Sequence, residues 1–262
     1  RLNSPASHLE TKGPAPRAPD FLYEAYETVG STNALCLERA VSGHPGNLWI
    51  RAGVQTAGRG RRGRAWTSPQ GNLFASVLLI DPSPLARIGE LPLLSAVALA
   101  EAVDKAAGTL QLVSLKWPND LLVDGAKLSG ILLEAETLKD GRLAAVMGFG
   151  VNCVSHPDPA LYRATDLRSL GYPVSADSLF AALAETLAKY IAIWHQPDGF
   201  DRIRRQWLKR AAHLGQKITV RAAQEEITGT FDDLDASGHL VLRLDNGQKR
   251  TVYAGDVFLS GE

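Results

Sequence analysis

Apolar positions change their period several times along this chain, and each change marks an element. Residues 1–20 hold four prolines (Pro5, Pro14, Pro16, Pro19) and little periodicity, which predicts a disordered tail. Residues 21–29 read as a strand. Ser31 or Thr32 then caps a helix whose predicted apolar face includes Leu35, Leu37 and Val41, with Gly43 as its stop. Residues 48–54 and 72–80 predict two strands flanking a loop. From 82 to 108 the spacing is helical, with Leu93, Leu94, Val97, Leu99, Ala100 and Val103 as a buried stripe. A strand follows over 112–117, then two hairpins turning at Asp124-Gly125 and Asp140-Gly141 and joining 121–123, 126–134 and 143–151. Consecutive hairpins predict an antiparallel sheet. Residues 154–173 are loop-rich, and 177–195 and 200–212 are helical by spacing. Beyond Gly215 come short strands over 217–222, 227–234, 240–244 and 250–253, turning at Gly238 and Asn246-Gly247. That pattern predicts a small SH3-like barrel. Three segments result: a tail at 1–20, a large domain at 21–213 and the barrel at 214–262.

Charge sharpens the picture by where it sits. The 262 residues carry 28 basic and 28 acidic side chains, and 45% are hydrophobic. Length and apolar content suit one large domain and a small one. Zero net charge speaks against a general binder of nucleic acid or membrane surface. Yet residues 58–64 pack four arginines and three glycines into seven positions, with Trp66 just after. Glycine lets backbone approach a ligand, and arginine offers a planar fork for phosphate or carboxylate oxygens. The stretch reads either as an anion-binding loop or as a solvated basic loop. Gly58, Gly60 and Gly63 also spell a dinucleotide fingerprint, but the context rejects it. That motif opens a crossover helix, and only residues 64–71, with Pro69 among them, precede the next strand.

Cys36 and Cys153 are the only cysteines and form neither a metal-site spacing nor a disulfide framework, which fits a reducing compartment. No apolar run reaches membrane-spanning length and no signal peptide is visible, so a cytoplasmic location is expected. His156, His195 and His213 sit without a partner pattern, and no general base is assigned.

Four segments, in order, resemble the biotin–protein ligases in their short form without a DNA-binding domain. They are Ser31-Thr32-Asn33; residues 55–66; Lys116-Trp117-Pro118-Asn119-Asp120 with residues 127–132; and residues 148–152. The resemblance implies an α+β fold. Its catalytic domain would be related to class II aminoacyl-tRNA synthetases, with a mixed, largely antiparallel sheet and helices, followed by the SH3-like barrel. It implies ATP and biotin as substrates and Mg²⁺ as cofactor. Biotin would be activated as biotinyl-5′-AMP and passed to a lysine of a biotin carboxyl carrier protein or domain.

The resemblance also implies site residues. Ser31, Thr32, Asn33 and Gln55 would face the biotin ring. Arg59, Arg61 and the Gly60 amide would meet the biotin carboxylate and the phosphates, and Lys127 would stabilise the reacting centre. Arg61, Arg62, Trp66, Lys116, Asn119, Asp120 and Asn152 would line the ATP side. Arg62 and Arg64 either contact pyrophosphate or face solvent, and Trp117 reads as core. Asp120 is the one candidate metal ligand. The implied protein binds no nucleic acid and no membrane, and is a monomer or weak homodimer. A lipoate–protein ligase, a biotin-responsive repressor and a non-catalytic biotin-binding protein are the alternatives; no module before Phe21 is expected to read DNA.

Overall fold

The computed structural model describes residues 21–158 and 162–260, so the tail predicted at 1–20 lies outside the described residues. Ser31 starts the first helix by accepting a hydrogen bond from the Ala34 amide. This helix, α1 (Thr32–Val41), carries the chain from strand β1 (Leu22–Val29) to strand β2 (Leu48–Gln55). A helical crossover lets the two strands pair in parallel, as they do. Every later neighbour is antiparallel: β3 (Leu73–Ile80), β4 (Ser114–Lys116), β5 (Asp120–Val123), β6 (Ala126–Thr137) and β7 (Leu143–Val151) complete a seven-stranded sheet ordered β1-β2-β3-β7-β6-β5-β4.

Strand β3 is buried along almost its whole length because the sheet is covered on both faces. One face packs against α2 (Leu91–Ala107) and α3 (Ala176–Trp194), and the other against α1. All six residues of the predicted α2 stripe are buried. The helix begins after a 3₁₀ turn at Leu85–Glu90 and stops at Gly108, whose φ of 66° suits a glycine. The predicted face of α1 needs correction in part: Leu35 and Leu37 pack, half-buried, against the core, but Val41 does not. Cys36 and Ala40, one turn apart, face the sheet, whereas Val41 points away and is 63% exposed. Strand β4 is shorter than predicted because the Asp104 carboxylate captures the amides of Gln111 and Leu112 before the ladder begins.

Helix α4 (Gly199–Lys209) leads to the C-terminal strands β8 (Lys217–Arg221), β9 (Glu226–Leu234), β10 (Leu240–Arg243), β11 (Lys249–Val252) and β12 (Asp256–Leu259). They form an antiparallel sheet ordered β11-β10-β9-β8-β12. Strand β12 has no counterpart in the sequence reading: it is four residues long and buries only Val257. This sheet shares the large core. Trp207 on α4 meets Phe231 on β9 with ring centroids 6.4 Å apart, and Trp117 Nε1 donates to Gly238 O at 3.1 Å.

Gly199 opens α4 against the end of α3. A Cβ there would collide with the Ile193 carbonyl oxygen, a backbone atom with no room to retreat. Gly199→Ala is therefore expected to destabilise the protein by about 1–3 kcal/mol through overpacking, read as a lower thermal midpoint. An unchanged midpoint would show that the α3–α4 turn can shift freely.

Candidate functional site

The site is built on the α1 face of the seven-stranded sheet, where three glycines make room for the Trp66 and Asn33 side chains. Gly130 on β6 pairs directly with Gly150 on β7, and Gly148 lies opposite Leu132. Trp66 lies over two of these positions. A Cβ at Gly150 would come within 2.5 Å of its Nε1 atom, and one at Gly130 within 3.2 Å of its Cζ3 atom. Trp66 Nε1 is buried without a hydrogen-bond partner.

The start of α1 forms a polar wall beside this floor. Ser31, Thr32 and Asn33 are all buried. The Thr32 amide and hydroxyl donate to Gln55 Oε1 at 2.9 and 3.1 Å, and Gln55 Nε2 donates to Ser68 Oγ at 3.1 Å. Ser76 Oγ lies 2.7 Å from Thr32 Oγ1 and 2.6 Å from Asn33 Oδ1. Asn33 Nδ2 donates to Glu134 Oε2 at 2.8 Å, and the same oxygen takes Arg59 Nη2 at 3.1 Å. One network thus joins Gln55, Thr32, Ser76, Asn33, Glu134 and Arg59. Buried polar groups paired this completely hold their geometry.

The Arg-Gly loop folds back on itself. Trp66 N donates to Gly58 O at 2.9 Å and Gly60 N to Arg64 O at 2.7 Å. Between them lies a 3₁₀ turn at Arg61–Gly63, with φ of 56° at Arg62 and 72° at Gly63. A Cβ at Gly58 would fall 2.6 Å from the Trp66 carbonyl oxygen, so that glycine is required by space. The arginines then part company. Arg59 joins Glu134, while Arg61, Arg62 and Arg64 all reach Asp256 on β12. Burial pushes the Asp256 carboxyl up, but Arg61, Arg64 and Arg62 together pull it below the ordinary carboxylate range.

Lys127 stands at the edge of the glycine floor. Its backbone is clamped to the neighbouring loop: its amide donates to Arg163 O at 2.8 Å, and the Thr165 amide donates to its carbonyl at 3.0 Å. Its ammonium lies 2.9 Å from Asp120 Oδ1, 5.5 Å from the Trp66 ring centroid and 5.3 Å from the Tyr162 ring centroid. Asn119 donates to Ile131 O, leaving its buried Oδ1 without a partner. Lys116 Nζ lies 5.5 Å from the Phe258 ring centroid. Asn152 is fully buried and donates to Thr165 O at 3.1 Å, so it supports the segment that clamps Lys127. Trp117 is core, as its pattern predicts.

The floor glycines, Ser76, Glu134, Tyr162 and Asp256 escape the sequence-based assignment of site residues. A Gly-x-Gly alternation in a strand carries a usable signal, since it clears one face. Glu134 and Asp256 carry none, because their partners are distant in sequence. A cavity of about 470 Å³ lies elsewhere, lined in part by Arg51, Gln70, Cys153, Arg168 and Asp177, and shares no residue with this cluster. Arg51 and Asp177 are already paired there at 2.5 Å.

A wall of paired hydroxyls and amides beside a tryptophan seated on glycines, with cations at the rim, suits a flat polar ring that carries an acidic tail. Known proteins place the chain in a family. The biotin/lipoate A/B protein ligase family matches residues 27–152, and the biotin protein ligase C terminal domain matches residues 213–260. A biotin–[acetyl-CoA-carboxylase] ligase from Paracoccus denitrificans is 39% identical over 240 residues, covering 88% of this chain and 98% of the relative. The biotin protein ligase from Aquifex aeolicus, solved in complex with biotin and ATP, superposes with a TM-score of 0.77 at 25% identity, over 90% of this chain and 97% of that one. The biotin protein ligase from Leishmania major, solved in complex with biotinyl-5-AMP, does so with a TM-score of 0.61 at 26% identity, over 90% of this chain and 99% of that one.

Proposed function

The chain belongs to the biotin/lipoate A/B protein ligase family, and from that premise we propose how its own residues carry out the reaction. It is an ATP-dependent biotin–protein ligase, forming biotinyl-5′-AMP and passing the biotinyl group to carboxylase carrier domains. The observation that carries the residue-level reading is the glycine floor bounded by the Ser31–Asn33 wall, with Lys127 at its rim.

Biotin's bicyclic ring lies against the Ser31–Asn33 wall, beside the Trp66 ring that covers Gly130 and Gly150. Ser31, Thr32 and Gln55 present the donors and acceptors that its ureido group needs, and Asn33 holds that wall in register. The carboxylate points toward Arg59, Arg61 and Lys127. Two anions must meet there, and cations fixed in place before reaction lower that barrier most effectively. A carboxylate oxygen attacks the α-phosphorus of ATP. The new C–O–P linkage forms as the bond to the β-phosphate oxygen breaks, and pyrophosphate leaves with that electron pair. In the second step a carrier lysine amine attacks the acyl carbon, the amide forms, and AMP leaves with the bonding electrons of the acyl–oxygen bond. The amine proton passes to phosphate or water. Lys127 stabilises the negative oxygens in both steps and forms no covalent bond. Trp66 stands where the two substrates meet, and the loop behind it excludes water from the anhydride. Lys116 and Arg62 serve the phosphates.

Among the described residues no group of three His, Cys, Asp or Glu side chains could hold a metal. The turn at Asn119 and Asp120 nevertheless offers hard oxygen donors, including the unpartnered Asn119 Oδ1. Those donors fit Mg²⁺ arriving on the ATP phosphates, where it would neutralise phosphate charge.

We divide the chain at residue 214, with a catalytic domain at 21–213 and a C-terminal domain beyond. We place it in the cytoplasm as a monomer or weak homodimer that binds no nucleic acid. Two buried free cysteines support the reducing compartment, and zero net charge supports the absence of nucleic-acid binding. No helix among the described residues is long and apolar enough to cross a membrane.

Isothermal titration tests the substrate. Biotin is expected to bind and lipoate is not. Lipoate binding without biotin binding would transfer the chain to the lipoate branch.

A further inference from the structure

Three of the four loop arginines converge on one carboxylate of the C-terminal sheet. Arg61 Nη2 lies 2.6 Å from Asp256 Oδ1, while Arg62 Nη1 and Arg64 Nη2 lie 3.1 and 2.5 Å from Oδ2. Backbone completes the grip: Arg61 Nη1 donates to Gly255 O at 3.2 Å and Arg62 Nη2 to Arg221 O at 3.4 Å. The Asp256 side chain is only 15% exposed, although Arg64 is well exposed.

Three guanidiniums on a glycine-rich loop repel one another and carry large rotamer freedom. Left alone they splay. A single carboxylate draws them together but cannot neutralise three positive charges, so the cluster remains cationic. Its donors are far from used up: each guanidinium has five N–H groups, and Arg64 commits one of them to Asp256. Several forks aimed at one point suit an anion bearing many oxygens.

The strand carrying Asp256 faces the phosphate side with a second residue. Phe258, two positions on and therefore on the same face, lies 5.5 Å from Lys116 Nζ and 4.3 Å from Arg221 Cζ, measured to its ring centroid. Strand β12 thus stands against the loop arginines at one end and Lys116 at the other.

We infer that Asp256 is a positioning residue for the nucleotide step, gathering Arg61, Arg62 and Arg64 into a preassembled receptor for the pyrophosphate end of ATP. This rests on the ligase reading above and gives the C-terminal sheet a part in it without contact to the reacting atoms. Without Asp256 the nucleotide must gather the arginines itself, and that ordering is charged against its affinity. A carboxylate that only competed with phosphate would have the opposite effect, since its removal would tighten ATP binding.

Biotin-dependent ATP–pyrophosphate exchange at saturating biotin separates these roles. Asp256→Asn is expected to raise KM for ATP and for pyrophosphate about tenfold, with kcat changed by less than about threefold. Biotin affinity by titration is expected to change less than KM for ATP, because only Arg61 of the three also meets the biotin carboxylate, and Asp256→Glu to restore most of the loss. Arg64→Gln is expected to raise KM for ATP as well, and the double variant to lose less than the product of the single effects. Unchanged or lowered KM values in Asp256→Asn, or fully multiplicative effects, would overturn the role. If Asp256→Asn does not fold, Arg64→Gln decides: its side chain is exposed, and an unchanged KM for ATP overturns the proposal. Failure of the wild type to show biotin-dependent exchange would remove the ligase reading itself, whereas a failure confined to the variants removes only the role of Asp256.

Discussion

Lys127→Ala is expected to slow biotinyl-adenylate formation by about 10²–10³-fold while the protein stays folded. The size of the effect follows from where the ammonium stands. It lies at the rim of the glycine floor, 5.5 Å from the Trp66 ring centroid and 21% exposed, on a strand whose backbone is held by Arg163 and Thr165. A cation so placed need not reorganise as charge develops on the reacting oxygens. The fold should survive because the clamp uses backbone groups that alanine retains. Asp120 loses its partner while only 18% exposed, so a stability cost of about 1–3 kcal/mol is expected, small enough for the protein to stay folded. Lys127→Arg should recover only part of the rate, since a planar fork does not reproduce a compact ammonium. Single-turnover pyrophosphate release at saturating biotin and ATP is the measurement. A rate equal to wild type would take Lys127 out of the reacting centre.

Gly148→Ala is expected to weaken biotin binding by about ten- to a hundredfold, for the addition of one methyl group. The reason is space, not backbone conformation, because Gly148 has no positive φ. A Cβ at 148 would run into the Asn33 carboxamide. That side chain cannot simply withdraw: Ser76, Leu132 O and Glu134 hold it, and Glu134 in turn holds Arg59. The methyl group must therefore disturb the polar wall as well as the floor. Titration with biotin reads this directly, and affinity within threefold of wild type would show that the ring does not rest against this wall.

Much of the framework was legible in the chain. Strand β3 is an apolar run because both its faces are covered, and Asp-Gly pairs mark the β5–β6 and β6–β7 turns because Asp124, Gly125 and Gly141 take positive φ. The α2 stripe was legible for the same reason: its period matches its burial. The helix α1 was harder. Its buried face is made of small and polar residues, Thr32, Asn33, Cys36 and Ala40, so hydrophobicity pointed to Val41 instead. Strand β12 has too few residues to show a period at all.

For the candidate site, local motifs and the family resemblance single out Ser31, Thr32, Asn33, Gln55, Arg59 and Lys127, and the fold brings these to one side of the sheet. Motifs do not reveal pairings that exist only after folding. Nothing near Arg61 or Arg62 tells that their partner is Asp256, and nothing near Asn33 tells that it meets Glu134, 101 residues away. Sequence identifies chemically unusual positions; it does not say which opposite charge will sit beside them.

The grip of Asp256 on the loop also sets a timetable. Thr32 and Gln55, which meet in the polar wall, are 23 residues apart, but Arg64 and Asp256 are 192 apart. At about 5–20 residues per second of synthesis, the ribosome delivers β12 on the order of ten to forty seconds after the loop. A growing chain therefore owns the makings of its biotin wall long before its arginines are gathered. Ribosome-bound intermediates should therefore bind ATP more weakly than the finished protein until β12 has emerged.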